Sequence, residues 1–510
     1  MSRCRPCLAE TNPSLDRSDL QLVRQAGALT AEKMPLLSAK SVIIRPLSIL
    51  AILNPRVQGA HHRLGSNTCL NRFPSSLCDF QSPVPIDDET PLHILLKSPW
   101  SYPPYCLAST NAPDEQWQHL SEKLCVYTST SFNEYSGISI IARPETAATL
   151  VAAISNRTAS QSARHHIAGH AHLPGAPDSL PYVVTAIPGK GIGVIATKPI
   201  PQFSTIMVSF PALVIDDELF PDDDEHEVPV EGPRLFTRAL GQLADKKRAL
   251  DLAKSRHDGK IHVVEDVVRT NAFGIYAVDG RDFKGLYPEI AWQTKADMDR
   301  SAYGRFTKAD LAMTAVATRD IEPGEEITIS CQLNIIFVCR YISYSRMSDQ
   351  DRRVSDISLG MPSVYRQQAL ANWSFKCTCA LCTSAPEALS ASDSRREKLV
   401  ELLHEMNQLV PVSSKPLSVE QIQANYEKLV VYTREFVEIL QIERLFPKVG
   451  EYYQRFMKLY YGFGDIESAY KYARTALKFA EIFSDPDGGF CWGLRRDSEL
   501  LERLIAEQEE

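Results

Sequence analysis

The sequence has no excess of positive charge and no long apolar run. Lysine and arginine number 55 against 63 aspartates and glutamates, which gives a formal net charge of -8. Binding of nucleic acid through bulk electrostatics needs a basic surface, so this composition argues against a direct nucleic-acid partner. No stretch reaches the roughly 18 to 20 apolar residues that cross a bilayer. We therefore expect no membrane partner.

Cysteine is too sparse for a disulfide scaffold, with 12 residues in a chain of 510. Three of them, Cys377, Cys379 and Cys382, are crowded together. Thiolates at this spacing repel one another unless a soft cation neutralises them, and a disulfide between any two would leave an odd thiol. The spacing therefore predicts a zinc site on these three residues. It also favours a reducing compartment, and we expect the nucleus or the cytoplasm.

Two glycine-containing stretches, far apart in the chain, have the pattern of short strands with tight turns. Residues 188–196 read Pro-Gly-Lys-Gly-Ile-Gly-Val-Ile-Ala, and residues 319–330 read Arg-Asp-Ile-Glu-Pro-Gly-Glu-Glu-Ile-Thr-Ile-Ser. β-branched residues beside glycine turns favour strands joined by hairpins. Glycines also let a ligand approach the backbone, because no Cβ stands in the way. On its own, however, such a turn is more often only a turn.

Composition and periodicity divide the chain into an α+β organisation with a helical end. The C-terminal part predicts helices over 399–409, 419–436, 446–459, 466–483 and 498–507. Four histidines fall within 160–180, where the polar composition favours a solvated linker over a metal site. The expected segments are a disordered leader (1–95), a small α/β segment (96–159), a linker (160–180), a β-rich region (181–345) with a helical insertion (about 234–270), a cysteine-rich segment (358–390) and a helical domain (393–510).

The two glycine-containing stretches resemble the first and last strands of the SET domain, the fold of protein lysine methyltransferases. The helical insertion, the cysteine cluster and the helical end are similar to the SMYD-like and fungal SET proteins, without the MYND finger of the SMYD proteins proper. The resemblance implies a SET-type β-fold of short strands, a post-SET zinc segment and a C-terminal domain like tetratricopeptide repeats (TPR-like).

The same resemblance implies functional residues. The backbone of Lys190, Gly191 and Ile192 is expected to cradle S-adenosylmethionine, and Asn271 of the Thr-Asn-x-Phe segment is expected to lie near it. A helix-end cap is an equally good interpretation of Asn271. In the post-SET segment, the resemblance places Trp373 at the lysine channel and Phe375 on the cofactor, and plain core packing is the alternative for both aromatic residues.

The resemblance breaks at two stretches, 292–301 and 331–357. The family carries an Asn-His-x-Cys motif at the first stretch, where this chain reads Trp-Gln-Thr-Lys-Ala-Asp-Met-Asp-Arg-Ser. At the second, the family's Ile-Ser-Tyr is replaced by Ile-Ser-Cys, which leaves Tyr344 as the stand-in for the catalytic tyrosine. The fourth zinc ligand is left open among Cys331, Cys339, water or none. One hypothesis for both breaks is intron sequence retained in the gene model, which sequencing the transcript would test.

The function expected from the resemblance is S-adenosylmethionine-dependent methylation of a protein lysine. The partner would be a lysine-bearing protein, such as a histone or another basic tail. Because the Asn-His pair and the tyrosine are out of place, activity could be impaired. The alternative from another class is a non-catalytic scaffold in which the SET, zinc and helical parts serve only protein interaction.

Overall fold

The architecture is taken from a computed structural model. It describes residues 99–106, 124–159, 180–188, 191–220, 232–252, 261–276, 282–291, 294–296, 301–330, 362–365, 367, 379–409 and 417–509. The expected leader at 1–95 and the histidine-containing linker lie outside these ranges. Within them, no helix is both long and apolar enough to cross a membrane.

A six-stranded sheet joins the N-terminal segment to the β-rich region. Its strands follow the order β1-β2-β3-β7-β9-β8, with β3 and β7 parallel and the other neighbours antiparallel. Each residue of β2 and β3 is buried, because helices cover both faces of the sheet's centre. The strands are β1 (Tyr105–Cys106), β2 (Cys125–Ser129), β3 (Ile138–Ala142), β7 (Leu213–Asp216), β8 (Phe273–Tyr276) and β9 (Asp282–Leu286).

Helices surround this sheet. The helical pattern that begins near residue 234 breaks after Gln242, and the Asp245 carboxylate accepts a bond from the Lys247 backbone N–H where the chain turns helical again. Buried Thr128 on β2 donates to Gln242 Oε1 at 2.7 Å, which ties the insertion to the sheet. The helices are α1 (Phe132–Tyr135), α2 (Pro144–Ala159), α3 (Gly232–Gln242), α4 (Lys247–Leu250), α5 (Val263–Asn271) and α6 (Pro288–Ala291).

A five-stranded sheet and a separate hairpin complete the β-rich region. The sheet has the order β10-β13-β11-β12-β6, and β13 is parallel to both of its neighbours. β12 is buried along its whole length and forms the centre of this layer with β11. The strands are β6 (Thr205–Ser209), β10 (Thr294–Ala296), β11 (Ala302–Thr307), β12 (Ala312–Ala317) and β13 (Thr328–Ser330), and the hairpin is β4 (Tyr182–Ile187) with β5 (Gly191–Ala196).

The C-terminal part is helical, as the apolar periodicity predicts. One helix has the predicted bounds and the others differ at one or both ends. Ser418 and Gln421 form a capping box at the start of one helix, and Asp465 caps another by accepting from the Ser468 N–H at 2.9 Å. The helices are α7 (Pro386–Leu409), α8 (Val419–Ile442), α9 (Val449–Gly462), α10 (Ile466–Phe483) and α11 (Gly489–Glu509).

Phe203 joins the helical part to the β-rich region. It lies in the turn before β6 with a positive φ of 67°. Its ring makes edge-to-face contacts with Phe446, Phe479 and Phe483 at centroid distances of 5.5, 5.7 and 5.9 Å. From β11, Arg305 Nη1 donates to the carbonyls of Glu481 (2.8 Å) and Ile482 (3.3 Å) at the end of α10. A cation at a helix C-terminus satisfies carbonyls that have no partner within the helix.

A disulfide joins Cys106 and Cys125, which are directly opposite each other on β1 and β2. This bond was not predicted, since nothing in the sequence singles out Cys106 and Cys125, which are 19 residues apart. It fixes a strand of only two residues to the sheet. The expected compartment, nucleus or cytoplasm, stays a prediction.

Candidate functional site

The two stretches that first indicated a site pair with each other. β4 and β5 form an antiparallel hairpin whose tip lies between Ile187 and Gly191. The outer side of β5 pairs with the second stretch: Ala196 N donates to Glu325 O at 2.9 Å, and Ile327 N donates to Val194 O at 2.7 Å. A further bridge links Ile200 and Ile321. The hairpin therefore packs against the end of the β-rich region.

The turn of the second stretch depends on glycine and on one ion pair. Gly324 has a φ of 88°, a conformation that glycine adopts without penalty, and its N–H donates to Ala196 O at 2.8 Å. Arg319 binds the Glu325 carboxylate at 3.0 Å. Burial raises the pKa of Glu325, but the Glu322 N–H and the Arg319 guanidinium outweigh it, so that the pKa of this carboxyl is held below its ordinary value. The carboxylate therefore stays charged and holds the turn closed.

One face of the hairpin is buried far from the turn and exposed at Ile192, close to the turn. Side chains alternate between the faces of a strand, so Ile192 lies on the same face as Val194 and as Tyr182 of the opposite strand. Tyr182 and Val194 are buried, whereas Ile192 is 51% exposed. Val183, on the other face, is 45% exposed. Ile192 is therefore an exposed apolar side chain on a face that is buried at Tyr182 and Val194.

Asn271 is the last residue of α5 and is 3% exposed. Its Nδ2 donates to Val267 O at 2.8 Å, which satisfies a carbonyl near the end of its own helix. β8 begins two residues later, so Asn271 marks the change from helix to strand. The helix-end contact is the alternative weighed from the sequence, and the cofactor role of Asn271 stays a prediction.

A buried ion pair anchors the chain just before the first divergent stretch. Glu289, on α6, is 2% exposed and accepts from Ser209 Oγ at 2.5 Å and from Arg248 Nη2 at 2.7 Å. Burial raises the pKa of the nearby Tyr182 hydroxyl, and the negative charge of Glu289 adds to that effect. Sequence reasoning missed Glu289. The available signal was a carboxylate inside the apolar run Leu-Tyr-Pro-Glu-Ile, where burial requires a partner.

The first divergent stretch contributes a strand in spite of its unmatched sequence. β10 runs parallel to β13, with Thr294 opposite Thr328 and Ala296 opposite Ser330. This pairing holds the backbone of the stretch beside the end of the second glycine-containing stretch. The chain therefore keeps a strand where the Asn-His-x-Cys motif of the family is missing.

Several predicted site residues fall outside the described ranges, namely Lys190, Tyr344, Trp373, Phe375 and Cys377. Of the predicted zinc ligands, Cys379 and Cys382 lie in a turn that precedes α7, in which the Thr383 N–H donates to Cys379 O at 3.0 Å. Gln367 Nε2 contacts Cys382 Sγ at 3.5 Å. Among the residues with described positions, no group of three or more His, Cys, Asp or Glu could hold a metal ion. Because Cys377 is not among them, this finding does not test the predicted triad.

Comparison with known families identifies the region that contains β5 and the second glycine-containing stretch. Residues 191–332 match the SET domain family model. This part of the chain is a SET domain. No curated protein matches the chain at the significance required. The SET domain runs from the first residue of β5 to just beyond β13, and so includes β5, the second stretch and the insertion helices between them. Proteins with this domain are generally protein lysine methyltransferases.

Proposed function

We propose that the chain is an S-adenosylmethionine-dependent protein-lysine methyltransferase of the SMYD-like type that lacks a MYND finger. The observation that carries the proposal is the pairing of β5 with residues 321–327 inside the SET domain. This pairing holds β5 in place through backbone hydrogen bonds, and the proposed cofactor residues Gly191 and Ile192 begin that strand. A fixed cofactor position is what a reaction governed by alignment requires.

The cofactor site is proposed at Lys190, Gly191 and Ile192, and the exposed side chain of Ile192 supports it. Ile192 is exposed whereas Tyr182 and Val194 on the same face are buried, so a bound adenosine or methionine group would cover apolar surface at Ile192. The neighbouring glycines leave the backbone accessible to polar groups. Asn271 and Phe375 are the further residues proposed to hold the cofactor. S-adenosylmethionine, when bound, supplies a methyl group on a positively charged sulfur.

The protein's own contribution to the reaction is position and dehydration. A lysine attacks only as the neutral amine, so the channel must strip water from the ammonium and lower its pKa. Trp373 and Tyr344 are the residues proposed to line this channel. Methyl transfer needs no acid or base in the transition state, so alignment of the amine with the methyl group accounts for most of the rate. The substrate is proposed to be a histone or another basic tail.

Zinc is proposed to brace the post-SET segment through Cys377, Cys379 and Cys382. The donor set fits this metal, since thiolates are the ligands of structural zinc sites. A fourth ligand is needed for tetrahedral coordination, and Cys331 and Cys339 are the candidates in the chain. Metal analysis of the purified protein tests this part: we expect one zinc per chain, lost in the C379S/C382S variant. A wild-type protein without zinc would contradict it.

The second candidate function is a non-catalytic scaffold of SET, zinc and TPR-like helical parts. The observation in its favour is that β10 replaces the Asn-His-x-Cys motif with residues that offer no matching side chains. The helical part is joined firmly to the SET domain through Phe203 and Arg305, as an interaction surface would require. In this case the chain would bind partners and transfer no methyl group.

Methyl transfer by matched hairpin variants distinguishes the two functions. The full chain is incubated with methyl-labelled S-adenosylmethionine and a histone mixture, and methyl-lysine is measured by mass spectrometry. We expect transfer by the wild type, loss in Ile192→Asp, and retention in Val183→Asp, which places the same charge on the opposite face of the hairpin. Both side chains are about half exposed, so neither change should alter stability by more than about 0.5 kcal/mol. Absence of methyl-lysine with the wild type would favour the scaffold.

A further inference from the structure

A cleft lies between the edge of the six-stranded sheet and helix α3, away from the hairpin. It has a volume of about 790 Å³ and is lined by residues of α3, by Tyr105 of β1 and by Tyr102 just before it. This volume is within the range of sites that hold ligands, roughly 300 to 1,000 Å³. Tyr102 and Tyr105 are both partly exposed, so their rings offer apolar surface on one wall.

The opposite wall carries two arginines. Arg234 and Arg238 lie one helical turn apart on α3 and line the cleft, and no acidic residue lines it within the described part of the chain. Neither arginine forms an ion pair with any carboxylate among the residues whose positions are described. The Arg238 guanidinium lies 5.2 Å from the centre of the Tyr105 ring. Two arginines that share a cleft and have no carboxylate partner among the described residues point to an anionic ligand.

A buried amide adds a group without a partner to the floor of the cleft. Gln242 is 6% exposed and lines the cleft, and its Oε1 accepts from Thr128 Oγ1 at 2.7 Å. Its Nε2 has no hydrogen-bond partner in the described part of the chain. A buried N–H group without an acceptor is costly, so a ligand that offers a carbonyl gains by binding there. Peptides offer a carbonyl at each residue.

The edge of the sheet favours an extended ligand. β1 is the outermost strand on this side of the sheet, so the far side of its backbone is unpaired among the described strands. The Cys106–Cys125 disulfide holds this short strand in place. An unpaired strand edge is a template on which a peptide can add as a further strand.

We propose that this cleft binds an acidic peptide segment of a protein partner, laid along β1 with its carboxylates on Arg234 and Arg238. Two arginines in one cleft suit a pair of carboxylates, whereas nucleic acid is bound by longer rows of cations that follow the phosphates. The site is separate from the proposed methyl transfer, and the residues that form its tyrosine wall precede the SET domain.

Fluorescence anisotropy with the full-length chain tests the proposal. The probe is a short labelled peptide in which glutamate alternates with valine and tyrosine, and the matched peptide has glutamine in place of glutamate. We expect the wild type to bind the acidic peptide about tenfold more tightly than the glutamine peptide. The R234E/R238E variant should bind the acidic peptide at least about tenfold more weakly than the wild type does. Binding should also weaken as salt is raised.

Two further variants separate the cleft from the overall charge of the chain. K246E/K247E makes the same change in net charge on two exposed lysines outside the cleft, and we expect it to bind as the wild type does. If R234E/R238E does not fold, as judged by circular dichroism, Gly241→Glu replaces it. A Cβ at Gly241 meets no atom within 4 Å, so that change adds a negative charge to the cleft without a clash.

Several results would overturn the proposal. These are no change in anisotropy with the acidic peptide, equal binding of the glutamine peptide, or undiminished binding by both cleft variants. If K246E/K247E weakened peptide binding as much as R234E/R238E does, the effect would come from the overall charge of the chain. A single-stranded oligonucleotide that displaces the peptide at lower concentration than unlabelled peptide does would assign the cleft to nucleic acid. Because the readout is binding without S-adenosylmethionine, it is independent of whether methyl transfer occurs.

Discussion

Replacing Phe203 with alanine should uncouple the helical domain from the SET domain. The Phe203 ring makes three edge-to-face contacts, with Phe446, Phe479 and Phe483. Removing a fully buried phenylalanine costs about 3 to 5 kcal/mol, and each aromatic pair contributes about 0.5 to 1.5 kcal/mol beyond its area. Phe203 is only partly buried. We therefore expect a loss near the lower end, about 2 to 3 kcal/mol in docking free energy.

Calorimetric unfolding of the full chain measures this effect. We expect the wild type to unfold with the two parts coupled, and Phe203→Ala to separate into two transitions. Amide exchange should speed up most in β11 and at the end of α10, where Arg305 binds the helix. Phe463→Ala is the control, since Phe463 packs on Tyr426 within the helical part. An unchanged single transition in Phe203→Ala would refute the assignment of docking to this ring.

Further predictions concern titration, backbone space and the disulfide. Burial raises the pKa of Asp216 from its ordinary value of 3.8 to about 6, so the folded state favours the protonated carboxyl. The stability that this group contributes is therefore present below pH 3.8 and is lost as the pH rises through about 6. Asp216→Asn should therefore stabilise the chain at pH 7.5 by up to about 3 kcal/mol and give no gain below pH 4, by thermal denaturation at both values. Gly285→Ala would place a Cβ 2.6 Å from the ring of buried Tyr287, so the variant should have a lower melting temperature. A Cβ at Gly493 in α11 meets no atom within 4 Å, so Gly493→Ala should raise the free energy of unfolding by about 0.5 to 1 kcal/mol. Reducing the Cys106–Cys125 disulfide, or replacing Cys106 with serine, should lower the free energy of unfolding by about 3 kcal/mol in denaturant titrations. No change in unfolding would show that the bond does not form in solution.

The helical end of the chain was predicted well because its signal is local. Apolar residues recur there at helical spacing over many turns, and α10 has the bounds read from the sequence. In the structure, Asp465 and Ser418 cap two of these helices. The predicted helix from residue 234 was less accurate. The helix ends at Gln242 although the apolar periodicity continues through Leu243 and Leu250, and the Lys247 N–H donates to the Asp245 carboxylate where the next helix begins.

Long-range features were harder to predict. The pairing of β5 with the second stretch was expected only through a family resemblance, since nothing in Ile195 or Glu326 alone specifies the other. That β3 pairs with β7, and so joins the N-terminal segment to the SET domain, has no signal in either strand. Contacts between elements distant in the chain depend on packing that period and propensity do not encode. The buried pair of Glu289 and Arg248 was missed for the same reason.

The roles of the candidate site residues stay predictions. Gly191 and Ile192 begin β5, and it is the later part of that strand, from Val194 to Ala196, that pairs with the second stretch. Asn271 has a helix-end contact that its position in the sequence also allowed. The roles of Lys190, Tyr344, Trp373, Phe375 and Cys377 stay predictions, because their positions lie outside the described part of the chain.

Calorimetric titration of the full-length chain with S-adenosylmethionine tests the central claim most directly. If the hairpin forms a cofactor site, the titration should give saturable heat at one site per chain. This heat should be lost in Ile192→Asp and kept in Val183→Asp. No heat from a folded wild-type protein would contradict the claim, and the paired β-strands would then belong to a scaffold.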